Sequence, residues 1–125
     1  MGLAKASDLF AAGVDIHGVH DWNVVIGSFE TGYDPAKSEE AARLAFNSSP
    51  MAYIDGWRSP VLLIHGDDDR NVPFSETVDL AESLRKNNVY FEQLIFPDEV
   101  HGFLLHKNWL KAYKAAFDFF ERKLK

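Results

Sequence analysis

Two short segments concentrate the side chains that could do chemistry. The first is His65-Gly66-Asp67-Asp68-Asp69-Arg70-Asn71-Val72-Pro73, and the second is Pro97-Asp98-Glu99-Val100-His101-Gly102-Phe103. An aspartate hydrogen-bonded to a histidine fixes the tautomer of the imidazole and stabilises its cation. That pairing is the supporting half of a Ser-His-Asp triad. An acidic loop and a His-Gly pair are each more often plain surface turns. Their joint position at strand ends makes the pairing the stronger reading. Metal chemistry is the competitor. Asp67, Asp69 and Asn71 alternate like the start of a calcium loop, but Val72 stands where the required glycine belongs and Val78 where the terminal glutamate belongs. His17 and His20 with Asp15 or Asp21 have loose spacing and no HExxH motif. These spacings carry no metal site, and acyl transfer by a Ser-His-Asp set, the expected chemistry, calls for no metal and no organic cofactor.

The elements around these segments alternate between strand and helix. Val61 to His65 is an uninterrupted apolar run after Pro60, the pattern of a strand buried on both faces of a parallel sheet. Further strands are expected near 13–17 and 90–96. Leu3 to Phe10 reads as the last turns of a helix, and Gly18 to Tyr33 as a long loop with a short helix around Trp22 to Ile26. Asp34-Pro35 signals a helix over Ala36 to Phe46, and Ser49-Pro50 a short one toward Ile54. Ser75 is expected to cap the helix that ends at Asn87-Asn88. From Lys107 to Leu124 apolar residues recur at three- and four-residue steps: Leu110, Tyr113, Phe117, Phe120 and Leu124. That stripe is expected to face the core. The fold class is α/β, with about three parallel strands flanked by helices. In such sheets functional groups gather at the carboxyl ends of the strands, so the loops of Asp69 and His101 should share one edge.

Composition limits the function classes. The 125 residues carry 13 Lys plus Arg against 19 Asp plus Glu, a net charge of −6. That lacks the basic footprint of nucleic-acid binding and suits an anionic membrane surface poorly. No apolar run approaches the roughly 20 residues that span a bilayer. There is no cysteine, hence no disulfide frame, thiolate nucleophile or cysteine-bound zinc. A reducing, cytoplasmic setting is the expectation.

The stretch Ser59-Pro60-Val61-Leu62-Leu63-Ile64-His65-Gly66-x-x-Asp69-x-x-Val72-Pro73 resembles the acid-loop signature of the prolyl oligopeptidase family of serine peptidases. Asp98-Glu99-x-His101-Gly102 resembles their histidine loop. Leu9 to Val14, on through Trp22, resembles the region after their nucleophile helix. The resemblance covers essentially the whole chain. It implies the α/β-hydrolase fold, in which nucleophile, acid and base follow in that order. It makes Asp69 the triad acid, His101 the general base and Asn71 a contact to a substrate carbonyl. It also puts Val19, Trp22, Val25 and Val72 at or near an apolar substrate pocket, with a peptide as substrate.

One departure limits what these residues could do alone. The family's Gly-x-Ser-x-Gly-Gly motif occurs nowhere in the 125 residues. The resemblance implies a serine just before Met1. Residues 1–125 are thus expected to be the C-terminal part of an α/β-hydrolase catalytic domain lacking the nucleophile elbow, inactive alone. The alternative is a non-catalytic, self-associating folding or interaction module. A strand near 13–17 at the sheet edge would then join copies into a homo-oligomer.

Overall fold

A computed structural model describes residues 1–125. Its elements in chain order are α1 (Gly2–Lys5), β1 (Gly13–Ile16), α2 (Trp22–Phe29), α3 (Glu39–Asn47), a 3₁₀ segment (Pro50–Gly56), β2 (Val61–Gly66), α4 (Ser75–Lys86), β3 (Phe91–Phe96) and α5 (His106–Lys123). The three strands form one sheet in the order β1-β2-β3, with both pairings parallel. Gly13 stands opposite Val61, and Val61 opposite Phe91, so the three strands start level.

Side chains alternate across β2, and each face has its own core. Val61 and Leu63 pack with Leu80, Ala81 and Leu84 of α4 and with Trp57 and Ala4. Leu62 and Ile64 pack with Phe96, Phe103, Ala112 and Phe119 on the α5 side. All six residues of β2 are buried. Helices on both faces leave this central strand no solvated side, which is why it has no polar alternation.

Several helix boundaries differ from the sequence reading. The first helix ends at Lys5 rather than Phe10. Asp34 closes a turn instead of opening a helix: its Oδ1 accepts from the Ala36 N–H at 3.0 Å, and α3 begins only at Glu39. Phe74, not Ser75, stands at the N-cap of α4, and no side chain caps it.

The larger difference lies in α5. Leu110, Tyr113 and Phe117 are 57%, 58% and 65% exposed, and Leu124 is exposed too. The helix instead buries Ala112 and Phe119, with Trp109, Ala115 and Phe120 partly covered. The sequence of α5 carries two apolar stripes about one residue apart. The sheet takes the one containing alanines, because small side chains let the helix approach the strands closely.

Candidate active site

The carboxyl ends of all three strands lie on one edge of the sheet, and the loops of Asp69 and His101 meet there. His101 Nδ1 donates to Asp69 Oδ2 at 2.8 Å. Because its partner is a carboxylate oxygen, Nδ1 carries the proton, and Nε2 is left as the acceptor nitrogen. Asp69 is buried, while the His101 side chain stays 34% exposed. A buried acid behind an accessible imidazole is the geometry a general base requires.

The acid is held from four directions. Its Oδ1 accepts the Asn71 and Val72 N–H groups, each at 2.8 Å. Its Oδ2 accepts both His101 and His65 Nε2, the latter at 3.0 Å. His65 Nε2 also faces the Val72 carbonyl at 3.1 Å, and both of these neighbours are acceptors, so Nε2 donates. His65 Nδ1 then accepts from the Thr77 hydroxyl at 2.8 Å, which ties the acid loop to α4. Burial pushes the Asp69 carboxyl up. The Val72 N–H, His101, the Asn71 N–H and His65 together outweigh it, and the group sits below the ordinary aspartate range.

The loop of His101 is braced as well. Glu99, almost fully buried, accepts the Leu104 N–H at 2.6 Å, the Leu105 N–H at 3.2 Å and Asn108 Nδ2 at 2.6 Å. Its carboxylate thereby ties the loop after His101 to the start of α5. Phe103 plugs the core beneath the loop against Phe96 and Trp109, with ring centroids at 4.8 and 4.6 Å. Between the two loops Asp67 Oδ1 accepts the Asp98 N–H at 2.7 Å, and the Asp68 N–H donates to the Glu99 carbonyl at 3.1 Å. Gly66 lies against the Glu99 backbone so closely that any Cβ there would collide with it. The glycine is thus what lets the two loops touch.

Asp69 and His101 are brought together; the other candidate residues do not form one site. Asn71 is exposed and serves Asp69 through its backbone. Val72 and Val25 are buried, and Trp22 is 43% exposed. Val19 lines a cleft of about 290 Å³ beside β1 with Leu3, Phe10, Val14, Asp15 and His20, and none of the other four candidates shares it. The histidines weighed as metal ligands are already engaged. His20 bonds Asp15 through Nε2 and the Glu76 carbonyl through Nδ1, while His17 stacks on His101. No cluster of three or more His, Cys, Asp and Glu could hold a metal ion.

His65 and Glu99 at this site were not singled out from sequence, and His17 entered only as a possible metal ligand. His65 and Glu99 sit inside the two motif segments, yet only their burial shows that they support neighbours. His17 follows the first strand, whose pairing with β2 brings it to the same edge.

The prolyl oligopeptidase family matches residues 1–125. Dipeptidyl-peptidase 5 of Porphyromonas endodontalis is 33% identical over 89 residues, covering 71% of this chain and 13% of that protein. Dipeptidyl aminopeptidase BIII of Pseudoxanthomonas mexicana is 27% identical over 131 residues, covering 95% of this chain and 19% of that protein. The uncomplexed acylaminoacyl peptidase of Pyrococcus horikoshii superposes with a TM-score of 0.81 at 28% identity, covering 99% of this chain and 22% of that one. The chain therefore spans less than a quarter of the length of each of these three relatives. Its three parallel strands with flanking helices are those of an α/β-hydrolase peptidase fold. By sequence and by fold, the chain belongs to the prolyl oligopeptidase family.

Proposed function

We propose that this chain is the C-terminal part of a serine peptidase catalytic domain and supplies its acid, Asp69, and its base, His101. The observation that carries the reading is the 2.8 Å hydrogen bond from His101 Nδ1 to a buried Asp69 at adjoining strand ends. In the assembled enzyme Nε2 of His101 takes the proton of a serine hydroxyl and later gives it to the leaving amine. Asp69 keeps the imidazole oriented and balances its charge. The reaction is acyl transfer from a peptide or ester to water, and peptides are the proposed substrate. The serine must come from outside these residues, since no Gly-x-Ser-x-Gly is present in them. Asn71, Val19, Trp22, Val25 and Val72 are proposed as substrate-side positions on the family pattern alone. No helix is long and apolar enough to cross a membrane. A cytoplasmic location is part of the proposal and rests on the cysteine-free sequence.

Fluorophosphonate labelling tests this. The 125-residue chain alone should not label. Added to a polypeptide carrying the family's nucleophile segment, it should bring labelling to that serine. Asp69→Asn or His101→Gln should then remove most of it. Stoichiometric labelling of a serine within this chain would overturn the assignment.

A second reading is favoured by one observation: β1 pairs with β2 and with no other strand, so its outer edge is open. Open edges recruit strands, and on this reading the chain self-associates, most simply as a two-fold dimer through β1. Light scattering at micromolar concentration that gives a 14.1 kDa monomer would count against it.

A further inference from the structure

β1 ends at Ile16, and the next residue leaves the sheet with an unusual backbone. His17 has φ +43°, a left-handed conformation uncommon outside glycine and tolerated best by Asn, Asp and His. Such strain at a functional edge calls for a reason. Its neighbours hold it in place. The His17 N–H donates to the Ile64 carbonyl at 2.8 Å. Gly18 lies against the Asp15 carboxylate, where any Cβ would collide, and Asp15 is itself bonded to the buried His20. The outcome is that the His17 imidazole lies on His101. The ring centroids are 3.9 Å apart and the planes are tilted by 43°.

The geometry points to His17 as a positioning residue, one that keeps the His101 ring turned so that Nδ1 meets Asp69. It rests on the reading of His101 as the general base. Rotation of the imidazole about its Cβ–Cγ bond carries Nδ1 away from Asp69, and a single hydrogen bond at Nδ1 is all that Asp69 sets against that swing. A second ring at 3.9 Å blocks that swing on one side. For this, His17 must be uncharged, because two imidazolium rings so close would repel. Burial, and after it the proximity of His101, hold the His17 pKa below the ordinary histidine value. Its own backbone and Asp69 pull the other way, and His65 adds to the lowering. These are the titratable groups that face it, from the acid loop, the end of β2 and the base loop. The coupling is reciprocal: a proton on either ring opposes a proton on the other.

Long-range proton–nitrogen NMR on the labelled 125-residue chain reads both rings. Above the histidine titrations, His101 should show a single Nδ1–H tautomer. His17→Asn suits the left-handed backbone but removes the ring, and His101 should then populate both tautomers. His17→Phe restores an aromatic face without a charge and should return the single tautomer. An unchanged tautomer in His17→Asn, with the amide spectrum of the native fold, overturns the inference. If His17→Asn does not fold, His101→Gln provides the second measure. The His17 midpoint should rise there toward the ordinary value, and a midpoint that stays put overturns the coupling. Neither measurement needs a nucleophile. Failed serine complementation would remove the hydrolase reading and leave the His17–His101 pairing intact.

Discussion

His65 and His101 donate to the same oxygen, Oδ2 of Asp69, one from beneath the acid loop and one from the solvent side. The pair explains how a carboxylate can be buried and remain ionised. Each histidine contributes a donor, and two backbone N–H groups fill the other oxygen. A buried charge held this way is costly to disturb, because every donor removed leaves part of it unpaired.

Replacing His65 tests that balance. His65→Leu removes one donor to Asp69 and the only side-chain partner of the Thr77 hydroxyl. Loss of a buried, charge-assisted hydrogen bond of this kind costs about 1–3 kcal/mol. The Asp69 carboxyl should move up toward its ordinary range. Chemical denaturation reads the first effect and carbon-13 carboxyl titration the second. An Asp69 titration that does not move would show His65 to be irrelevant to the acid.

Gly66→Ala should act through the contact between the loops rather than through β2. Its Cβ would press into the Glu99 backbone, which cannot give way like a flexible side chain. Overpacking of this type costs about 1–3 kcal/mol. Thermal unfolding should show the loss, and the His101–Asp69 hydrogen bond should weaken with it. A variant as stable as the parent would mean that the base loop is free to retreat.

Stability should depend on pH through His20. Both of its ring nitrogens face acceptors, Asp15 Oδ2 and the Glu76 carbonyl, so the ring is held doubly protonated. Burial works against that charge, but Asp15 and Glu76 outweigh it and the His20 pKa is raised. A histidine raised in the folded state contributes its full stabilisation below the unfolded pKa of about 6.5. That contribution is lost as pH rises through the higher folded value. Denaturant midpoints should therefore fall as pH rises from about 6.5. In Asp15→Asn this fall should flatten. Equal slopes in the two proteins would remove Asp15 as the cause.

The two stripes of α5 should respond oppositely to substitution. Phe119 is fully buried, and Phe119→Ala should cost about 3–5 kcal/mol. Phe117 is 65% exposed, and Phe117→Ser should change stability by no more than about 0.5 kcal/mol. Thermal melts of both variants check this. A large loss from Phe117→Ser would mean that this face is covered in solution, as it would be in an assembly.

The amino-acid sequence by itself determined the strands, their parallel arrangement and the two loops that matter. Apolar runs such as Val61 to Ile64 need cover on both faces, and strands alternating with helices supply it. Asp69 and His101 stood out as candidates because each lies in the loop after an expected strand and each sits in a stretch that resembles a motif of one family. Only the tertiary structure decided which side of α5 enters the core. Two apolar stripes compete there, and the buried one carries Ala112 and Ala115, small side chains that suit close approach to the sheet. It also decided that the proposed pocket residues Val19, Trp22, Val25 and Val72 do not meet in one cavity, since spacing along the chain says little about where loop side chains point. The supports of the site emerged only in three dimensions. His65 reaches Asp69 because alternation along β2 turns it toward α4, and His17 reaches His101 because parallel pairing sets β1 beside β2. The His17–His101 contact joins two loops far apart in the chain, and the His65–Asp69 bond, only four residues long, depends on how the turn after β2 brings Asp69 back.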